Sequence, residues 1–264
     1  MKPWSMSTFL LQLAFYLLAF GMTQNARAQS KPELKTATNH PIQYYLSLPE
    51  GWVASKKWPV VIVIESAERD FLQAETAFAQ ARQRQPFILV TPLVVTNGGA
   101  GFRSVPTYHY SDEVWNRIQS EGQFKFDLDG ITAIMQDMQG QYGGENRFFI
   151  AGLEAAGHTV WGVLFNHPEI TRGAALVCPN YLGRWIDESH ISSAKEKASL
   201  PIQNMIGSRD EMCLSGQPIY TQIQRAITVA RANGYHNVSL VQINGKGHER
   251  LASEVLAYFS SLMK

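Results

Sequence analysis

Three side chains that could transfer protons follow predicted β-strands at widely separated positions. They are Glu154, Asp210 and His248, and a fourth strand ends at the pair Glu65–Ser66. In open α/β sheets the carboxyl ends of the strands meet at one edge, and ligands bind there. Two acids and an imidazole at that edge have the chemistry for acid–base catalysis. We therefore expect Glu154, Asp210 and His248 to share one catalytic site.

The elements that must position these residues are strands alternating with helices. Several of the strands are near-continuous apolar runs, which is typical of parallel strands covered on both faces. The predicted strands are Ile42–Leu48, Pro59–Glu65, Phe87–Leu93, Arg147–Gly152, Gly173–Cys178, Pro201–Gly207 and Val238–Asn244. The predicted helices are Phe71–Arg84, Ser111–Ser120, Leu128–Tyr142, Ala155–His167, Gln217–Asn233 and Glu249–Met263. This order predicts an α/β fold with a mostly parallel central sheet and helices on both faces.

Two local patterns refine this prediction. The Pro49–Gly51 turn after the first strand predicts an antiparallel hairpin at the sheet edge. The stretch "FIAGLEAAGHTVW" (Phe149–Trp161) predicts a sharp corner between a buried strand and a helix. Such a corner has the outline of a nucleophile elbow, where a strained turn exposes a reactive side chain. Here that position carries Glu154 instead of Ser, Cys or Asp.

From about Ile42 to Met263 the chain resembles the α/β-hydrolase superfamily. It looks closest to secreted esterases of the feruloyl-esterase, polyhydroxybutyrate-depolymerase and dienelactone-hydrolase kind. The matching stretches are "YYLSLPEGWVASKKWPVVIVIE", "RFFIAGLEAAGHTVWGVLFNHPE", "PIQNMIGSRDEMC" and "NGKGHERLASEVLAYF". The resemblance implies the α/β-hydrolase fold, with His248 as the general base and Asp210 as the carboxylate that orients it.

Two departures from the family pattern bear on activity. The G-x-S-x-G motif reads Gly152–Ala156 with Glu154 in place of serine, and a carboxylate attacking an ester carbonyl would give a mixed anhydride. The family's His–Gly–Gly oxyanion loop reads Glu65–Arg69, so two acids would disfavour an anion unless Arg69 or protonation offsets them. Glu65, Ser66 and Ala155 are nevertheless our candidates for oxyanion or ligand binding.

Three roles for Glu154 stay open. It could attack a saturated carbon, as Asp does in dehalogenase-like and epoxide-hydrolase-like relatives, or act as an acid or base together with Glu65. It could also cap the following helix and pair with His248 in a site that binds without reacting. We predict a divergent hydrolase that acts on an ester-type small molecule or a glycan-linked substrate. The alternative is a non-catalytic binding protein on the same scaffold.

Aromatic and basic residues in two loops are candidates for the ligand pocket. The loop Thr96–Trp115 and the segment Cys178–Trp185 both follow predicted strands, where loops commonly line a site. The candidates are His109, Tyr108, Tyr110, Trp115, Tyr181, Arg103 and Arg184. Packing over the sheet edge is the alternative for each of them.

Cysteines and histidines raise the questions of a disulfide and of a metal. Cys178 and Cys213 each follow a predicted strand, so they could pair in an oxidising compartment or remain two free buried thiols. No tight ligand spacing supports a metal site built from His158, His109 and Glu154. No phosphate-binding loop or dinucleotide fingerprint is present, so we predict no cofactor and no metal.

Residues 1–28 have the layout of a secretory signal peptide. Lys2 precedes the apolar stretch Phe9–Met22, and "ARA" ends before Gln29. We expect an exported protein, periplasmic or secreted, with a single domain over residues 29–264 and no stable membrane insertion after cleavage. An uncleaved N-terminal anchor is the alternative.

Composition and charge limit the classes of molecule that the protein is expected to bind. The chain has 264 residues, of which 45% are hydrophobic and 17% charged, so it can bury a substantial core. The formal net charge is +1, and Lys and Arg form no runs, which argues against nucleic-acid binding. The expected partner is a small-molecule or glycan-type ligand.

Overall fold

A mostly parallel β-sheet forms the centre of the molecule. The computed structural model describes residues 31–96, 107–182 and 186–263, and within these ranges eight strands pair in the order β1-β2-β4-β3-β5-β6-β7-β8. They are β1 (Glu33–Thr36), β2 (Gln43–Ser47), β3 (Val60–Ile64), β4 (Ile88–Pro92), β5 (Phe148–Leu153), β6 (Thr171–Val177), β7 (Ile202–Gly207) and β8 (Val238–Ile243). Strands β3 to β8 are parallel, whereas β2 is antiparallel to β1 and β4. The predicted fold class is confirmed.

Helices cover both faces of this sheet. They are α1 (Phe71–Arg82), α2 (Asp112–Glu121), α3 (Gln123–Gln141), α4 (Ala156–Asn166), α5 (Pro218–Ala232) and α6 (Ala252–Ser261). Side chains three positions apart on a strand point to opposite faces. On β5 the Phe149 ring stacks on Phe259 of α6, while Gly152 lies against Val160 of α4. Helices α4 and α6 therefore lie on opposite faces, and α1 packs beside α6.

The structure departs from the sequence prediction at several local points, and α3 begins at Gln123 instead of Leu128. Strand β1 was not predicted, because Glu33–Thr36 is short, exposed and without an apolar run. Strand β2 makes its hairpin with this preceding strand and not with β3, so it lies one strand in from the edge. Helix α6 begins at Ala252 instead of Glu249, because Leu251 has a φ of 49°, a left-handed conformation that cannot continue a helix backwards.

Some predictions concern residues outside the described ranges. The signal peptide over residues 1–28 is one, and Arg103 and Arg184 are the others. Across the ranges that are described, no helix combines the length and the apolar character needed to cross a bilayer.

One acid is completely buried between α1 and the sheet. Glu75 of α1 has no exposed surface, and its Oε2 accepts a hydrogen bond of 2.7 Å from the Thr91 hydroxyl on β4. The neighbouring Arg82 donates to the carbonyls of Ser47, Leu48 and Phe87. Burial raises the pKa of Glu75 to about 7, although the Thr91 hydrogen bond and the Arg82 charge act in the opposite direction.

This raised pKa predicts a loss of stability as the pH rises. The folded protein disfavours ionised Glu75, whereas the unfolded chain ionises it near pH 4.5, so the cost develops between about pH 4.5 and 7 and persists above. The free energy of unfolding of Glu75→Gln should therefore rise relative to that of wild type by on the order of 3 kcal/mol as the pH increases through that interval. Urea unfolding at several pH values measures this gain. The exposed control Glu50→Gln should show the same pH dependence of the unfolding free energy as wild type. If the stability difference between Glu75→Gln and wild type were also independent of pH, the prediction would be contradicted.

Candidate active site

The register of the sheet brings the ends of five strands, β3 and β5 to β8, to one edge. Ile64 of β3 lies beside Gly152 of β5, and Leu153 lies beside Val177 of β6. Further along the same edge Val177 pairs with Met205 of β7, and Gly207 pairs with Ile243 of β8. The residues that follow these strands are therefore delivered to neighbouring positions, as the sequence predicted for Glu65, Glu154, Asp210 and His248.

Glu154 occupies a strained corner between β5 and α4. Its φ is 51°, a left-handed conformation that costs a residue other than glycine roughly 1–2 kcal/mol. Three backbone hydrogen bonds of 2.9 Å hold it: its amide donates to the Val177 carbonyl, and its carbonyl accepts from the amides of Gly157 and Asn180. A sharp strand-to-helix turn therefore surrounds the glutamate, as the sequence predicted for this corner.

Glycines on either side let the helix approach the sheet. A Cβ at Gly152 would lie 2.7 Å from the Cβ of Ala156, and one at Gly157 would lie 2.4 Å from the Asn180 carbonyl oxygen. Both distances are too short for any side chain. The two glycines that flank the elbow are thus explained by close packing of α4.

Asp210 and His248 form a hydrogen-bonded pair. Nδ1 of His248 lies 3.0 Å from Oδ2 of Asp210, whose side chain is 1% exposed. The other oxygen, Oδ1, accepts a hydrogen bond of 3.1 Å from the Met212 amide. A carboxylate that holds Nδ1 in this way fixes the orientation of the imidazole and leaves Nε2 outside the pair. This is the pairing that the resemblance implied for the two residues.

Glu154 and His248 line the same open cleft. The cleft has a volume of about 500 Å³, and Ser66, Leu153 and Leu251 contribute to its walls. The half-buried Glu154 carboxylate has no hydrogen-bond or ion-pair partner among the residues that the structure describes. Glu154 therefore shares a cleft with His248, and the structure places no hydrogen bond or ion pair between these two side chains.

A buried ion pair occupies the end of β3. Glu65 is 1% exposed, and its carboxylate accepts hydrogen bonds of 2.7 and 3.2 Å from the Arg250 guanidinium. Burial raises the pKa of Glu65, and the Arg250 charge opposes this shift without cancelling it. Ser66, also buried, places its hydroxyl 3.3 Å from the same carboxylate. Sequence reasoning singled out Arg69 as the offsetting cation and missed Arg250, although it lies only two residues beyond His248.

Ala155 stands at the N-terminal end of α4. It is the residue after the elbow position, and it is buried with its backbone at the start of the helix. The first amides of a helix have no partner within the helix, so they can donate to an anion. Ala155 thus stands at the end of α4 where such amides occur, and its oxyanion role stays a prediction.

The predicted ligand-binding aromatic residues are placed elsewhere. Tyr181 is 1% exposed, packs against Trp161 and donates its hydroxyl to Glu188 at 2.9 Å, so it is a core residue and does not line the cleft. Tyr108 is likewise buried, with its hydroxyl bonded to the Val94 carbonyl at 2.6 Å. His109 is exposed and does not contribute to the cleft walls. For Tyr108 and Tyr181 the alternative of structural packing was right.

The two cysteines form a disulfide in this structure. Cys178 and Cys213 are both fully buried, and their Cα atoms are 5.8 Å apart. Cys178 directly follows β6, and Cys213 follows Asp210 by three residues, with its amide bonded to the Asp210 carbonyl at 3.0 Å. The disulfide therefore ties the end of β6 to the turn that carries Asp210.

Comparison with known proteins identifies the fold. No protein-family model matches the sequence, and no curated protein is significantly similar to it. Poly(aspartic acid) hydrolase-1 from Sphingomonas sp. KT-1 superposes with a TM-score of 0.60 at 14% identity, covering 88% of this chain and 97% of the other. For an S-formylglutathione hydrolase from Agrobacterium tumefaciens the TM-score is 0.57 at 11% identity, with coverage of 88% and 92%.

A thermostable esterase gives a TM-score of 0.53 at 16% identity over 88% of this chain. The chain spans only 62% of the length of that esterase. Identities this low establish the fold and nothing more specific. The protein has the α/β-hydrolase fold that the sequence predicted.

The Glu65–Arg250 pair yields a test of stability. Arg250→Met leaves a buried carboxylate without its cation, which should destabilise the protein by roughly 3 kcal/mol at neutral pH. Arg225→Met breaks the exposed Arg225–Glu188 pair and should cost less than about 1 kcal/mol. Chemical denaturation compares the two variants. The double variant Glu65→Leu/Arg250→Met should recover most of the stability lost in Arg250→Met, because it leaves no unpaired buried charge. Equal destabilisation by Arg250→Met and Arg225→Met would contradict the interpretation of Glu65–Arg250 as a buried pair.

Proposed function

We propose that the protein is a hydrolase of ester-type small molecules or glycan-linked esters, with His248 as the general base. The observation that carries the proposal is the 3.0 Å contact between His248 Nδ1 and the buried Asp210 carboxylate, at the edge of a cleft shared with Glu154. A carboxylate that accepts from Nδ1 leaves Nε2 unprotonated in the neutral ring, ready to accept a proton. Solved neighbours on this fold that are described as hydrolases and an esterase support this reaction class.

The attacking group in this proposal is water and not a side chain. Acyl transfer to Glu154 would produce a mixed anhydride, and the negative charge of the carboxylate would lie beside the anion that develops on the carbonyl oxygen. A water molecule in the cleft can instead donate one hydrogen bond to His248 Nε2 and another to the Glu154 carboxylate. In this proposal Glu154 orients the attacking water, at the position where serine esterases have the nucleophilic side chain.

The proposed reaction proceeds in two proton transfers. His248 accepts a proton as the water oxygen bonds to the ester carbonyl carbon, and the carbonyl oxygen becomes an anion. The protonated imidazole then donates that proton to the leaving alcohol oxygen as the carbon–oxygen bond breaks. The products are a carboxylic acid and an alcohol, and the base returns to its starting form.

Stabilisation of the oxyanion follows from two features of the site. The Ala155 amide at the N-terminal end of α4 is positioned to donate to the anion. Glu65 would repel an anion, but the Arg250 guanidinium compensates its charge at 2.7 Å. The resulting ion pair replaces the glycine amides that relatives use at the end of β3.

We also propose that the protein acts after export. The support is the charged, apolar and small-residue layout of residues 1–28. A disulfide between Cys178 and Cys213 agrees with an oxidising compartment.

The first test of this function is the loss of turnover in a base variant. His248→Ala should lower kcat for the best substrate in a panel of aryl and glycan-linked esters by about 100-fold or more. The exposed His236→Ala is the matched control and should retain wild-type kcat. Unchanged kcat in His248→Ala would contradict the assignment of the base. A wild-type protein that binds esters without turnover would instead favour the non-catalytic alternative.

The second test distinguishes water attack from a covalent intermediate. A single turnover in H₂¹⁸O should place the label in the carboxylic acid product and leave the Glu154 carboxylate unlabelled by mass spectrometry. Glu154→Ser should gain a burst phase and labelling by a fluorophosphonate, because the hydroxyl can form an acyl-enzyme. Label in wild-type Glu154 would indicate attack by the carboxylate itself. Fluorophosphonate labelling of wild-type Ser66 would contradict the proposed site.

A further inference from the structure

The Asp210–His248 pair and the two neighbouring cysteines form a cluster of residues that could bind a metal ion. One donor atom from each of Cys178, Asp210, Cys213 and His248 lies within 4.8 Å of the other three. Three of these residues are buried and only His248 reaches the surface. Two sulfurs, a carboxylate oxygen and an imidazole nitrogen are the ligand types that Zn²⁺ prefers in a tetrahedral site.

We propose that the reduced protein binds one Zn²⁺ ion through Cys178, Asp210, Cys213 and His248. While the disulfide is intact the two sulfurs are bonded to each other and cannot act as thiolate ligands. Reduction breaks that bond and supplies two thiolates on the same backbone positions beside the acid and the imidazole. The disulfide and the metal are therefore alternative occupants of one position.

The backbone already holds most of this ligand set. Cys178 follows β6 with a φ of 45° and its amide donates to the Met205 carbonyl at 2.9 Å, which fixes it beside β7. Asp210 and Cys213 belong to one turn, closed by the hydrogen bond from the Cys213 amide to the Asp210 carbonyl. The Met212 amide orients the Asp210 carboxylate from behind. Three of the four ligands thus come from fixed positions at two neighbouring strand ends.

Zinc binding requires the ligand atoms to adjust in two ways. Bond lengths of about 2.0–2.3 Å imply separations of about 3.4–3.8 Å between the ligand atoms of a tetrahedral zinc site. The widest pair must contract by about 1 Å from the observed limit of 4.8 Å, and the two sulfurs must separate from the bonded distance of about 2 Å to about 3.8 Å once the disulfide is reduced. His248 is carried by a loop and is 30% exposed, so it is the ligand with most freedom to adjust. Thiolate ligands disfavour Mg²⁺ and Ca²⁺, which require oxygen donors.

Oxidation would expel the metal by a balanced exchange. A disulfide oxidant such as oxidised glutathione accepts two electrons, and its sulfur–sulfur bond breaks to give two glutathione thiolates. The Cys178 and Cys213 thiolates lose those electrons and form their own disulfide, while the ion leaves as Zn²⁺. The metal itself is neither oxidised nor reduced.

Zinc at this position would occupy both members of the base pair. The imidazole that accepts a proton in the proposed reaction would be bound to the metal, and so would the carboxylate that orients it. The zinc-loaded protein would then lack a free general base. This consequence rests on the proposed function, whereas the binding site does not.

Metal binding by the full chain tests the inference directly. One sample is kept oxidised, and a second is refolded with a phosphine reductant until two thiols per chain are measured. Each is titrated anaerobically with Zn²⁺ against a chromophoric chelator, and with Co²⁺ to record thiolate-to-cobalt absorption. We expect one tightly bound ion per chain and a thiolate band in the reduced protein, and neither in the oxidised protein. Addition of oxidised glutathione should release the ion as the thiols disappear.

Variants separate this site from adventitious thiol binding. Cys178→Ser/Cys213→Ser should bind no tight ion, and reduced Asp210→Asn and His248→Ala should each bind Zn²⁺ at least about 100-fold more weakly. The exposed His236→Ala should bind like wild type. Equal binding by oxidised and reduced wild type would overturn the proposal. So would unchanged affinity and an unchanged cobalt spectrum in both Asp210→Asn and His248→Ala.

Discussion

The hydrogen bond between Asp210 and His248 is the interaction on which this site depends. The two residues come from turns after different strands, β7 and β8, and they meet because those strands are parallel neighbours in register. Asp210 is almost completely buried, and the Met212 amide and the His248 ring each bond to one of its oxygens. A buried carboxylate with both oxygens bonded holds the imidazole in one orientation. The base chemistry that we propose follows from this arrangement.

The remainder of the site consists of the corner at Glu154 and the ion pair at the end of β3. The corner is a sharp turn with Glu154 in a left-handed conformation. Non-glycine strain of this kind is retained where the surroundings enforce it, which is common at functional sites. The acid at the end of β3 is likewise accommodated by Arg250 and not left as an isolated charge. Backbone hydrogen bonds therefore hold the corner at Glu154, and an ion pair holds the Glu65 side chain.

Much of the arrangement could be predicted from the sequence, because it follows from the order of strands. Glu154 and Asp210 follow buried strands and His248 follows the partly exposed β8, and the parallel order of these strands delivers all three residues to one edge. Arg250 could not be found in this way, since its partner Glu65 lies 185 residues away and nothing in the local pattern links them. Tyr181 was misassigned because an aromatic side chain after a strand looks the same whether it binds a ligand or fills the core. Strand β1 was missed because an exposed edge strand needs no apolar run.

The tautomer of His248 is the most direct measure of the central claim. Long-range ¹H–¹⁵N NMR on the protein, at a pH where the imidazole is neutral, reports which ring nitrogen carries the proton. The account predicts a proton on Nδ1, donated to Asp210, with Nε2 unprotonated, and loss of this preference in Asp210→Asn. A neutral ring protonated on Nε2 in the wild-type protein would contradict it, because that nitrogen could not then accept a proton from water.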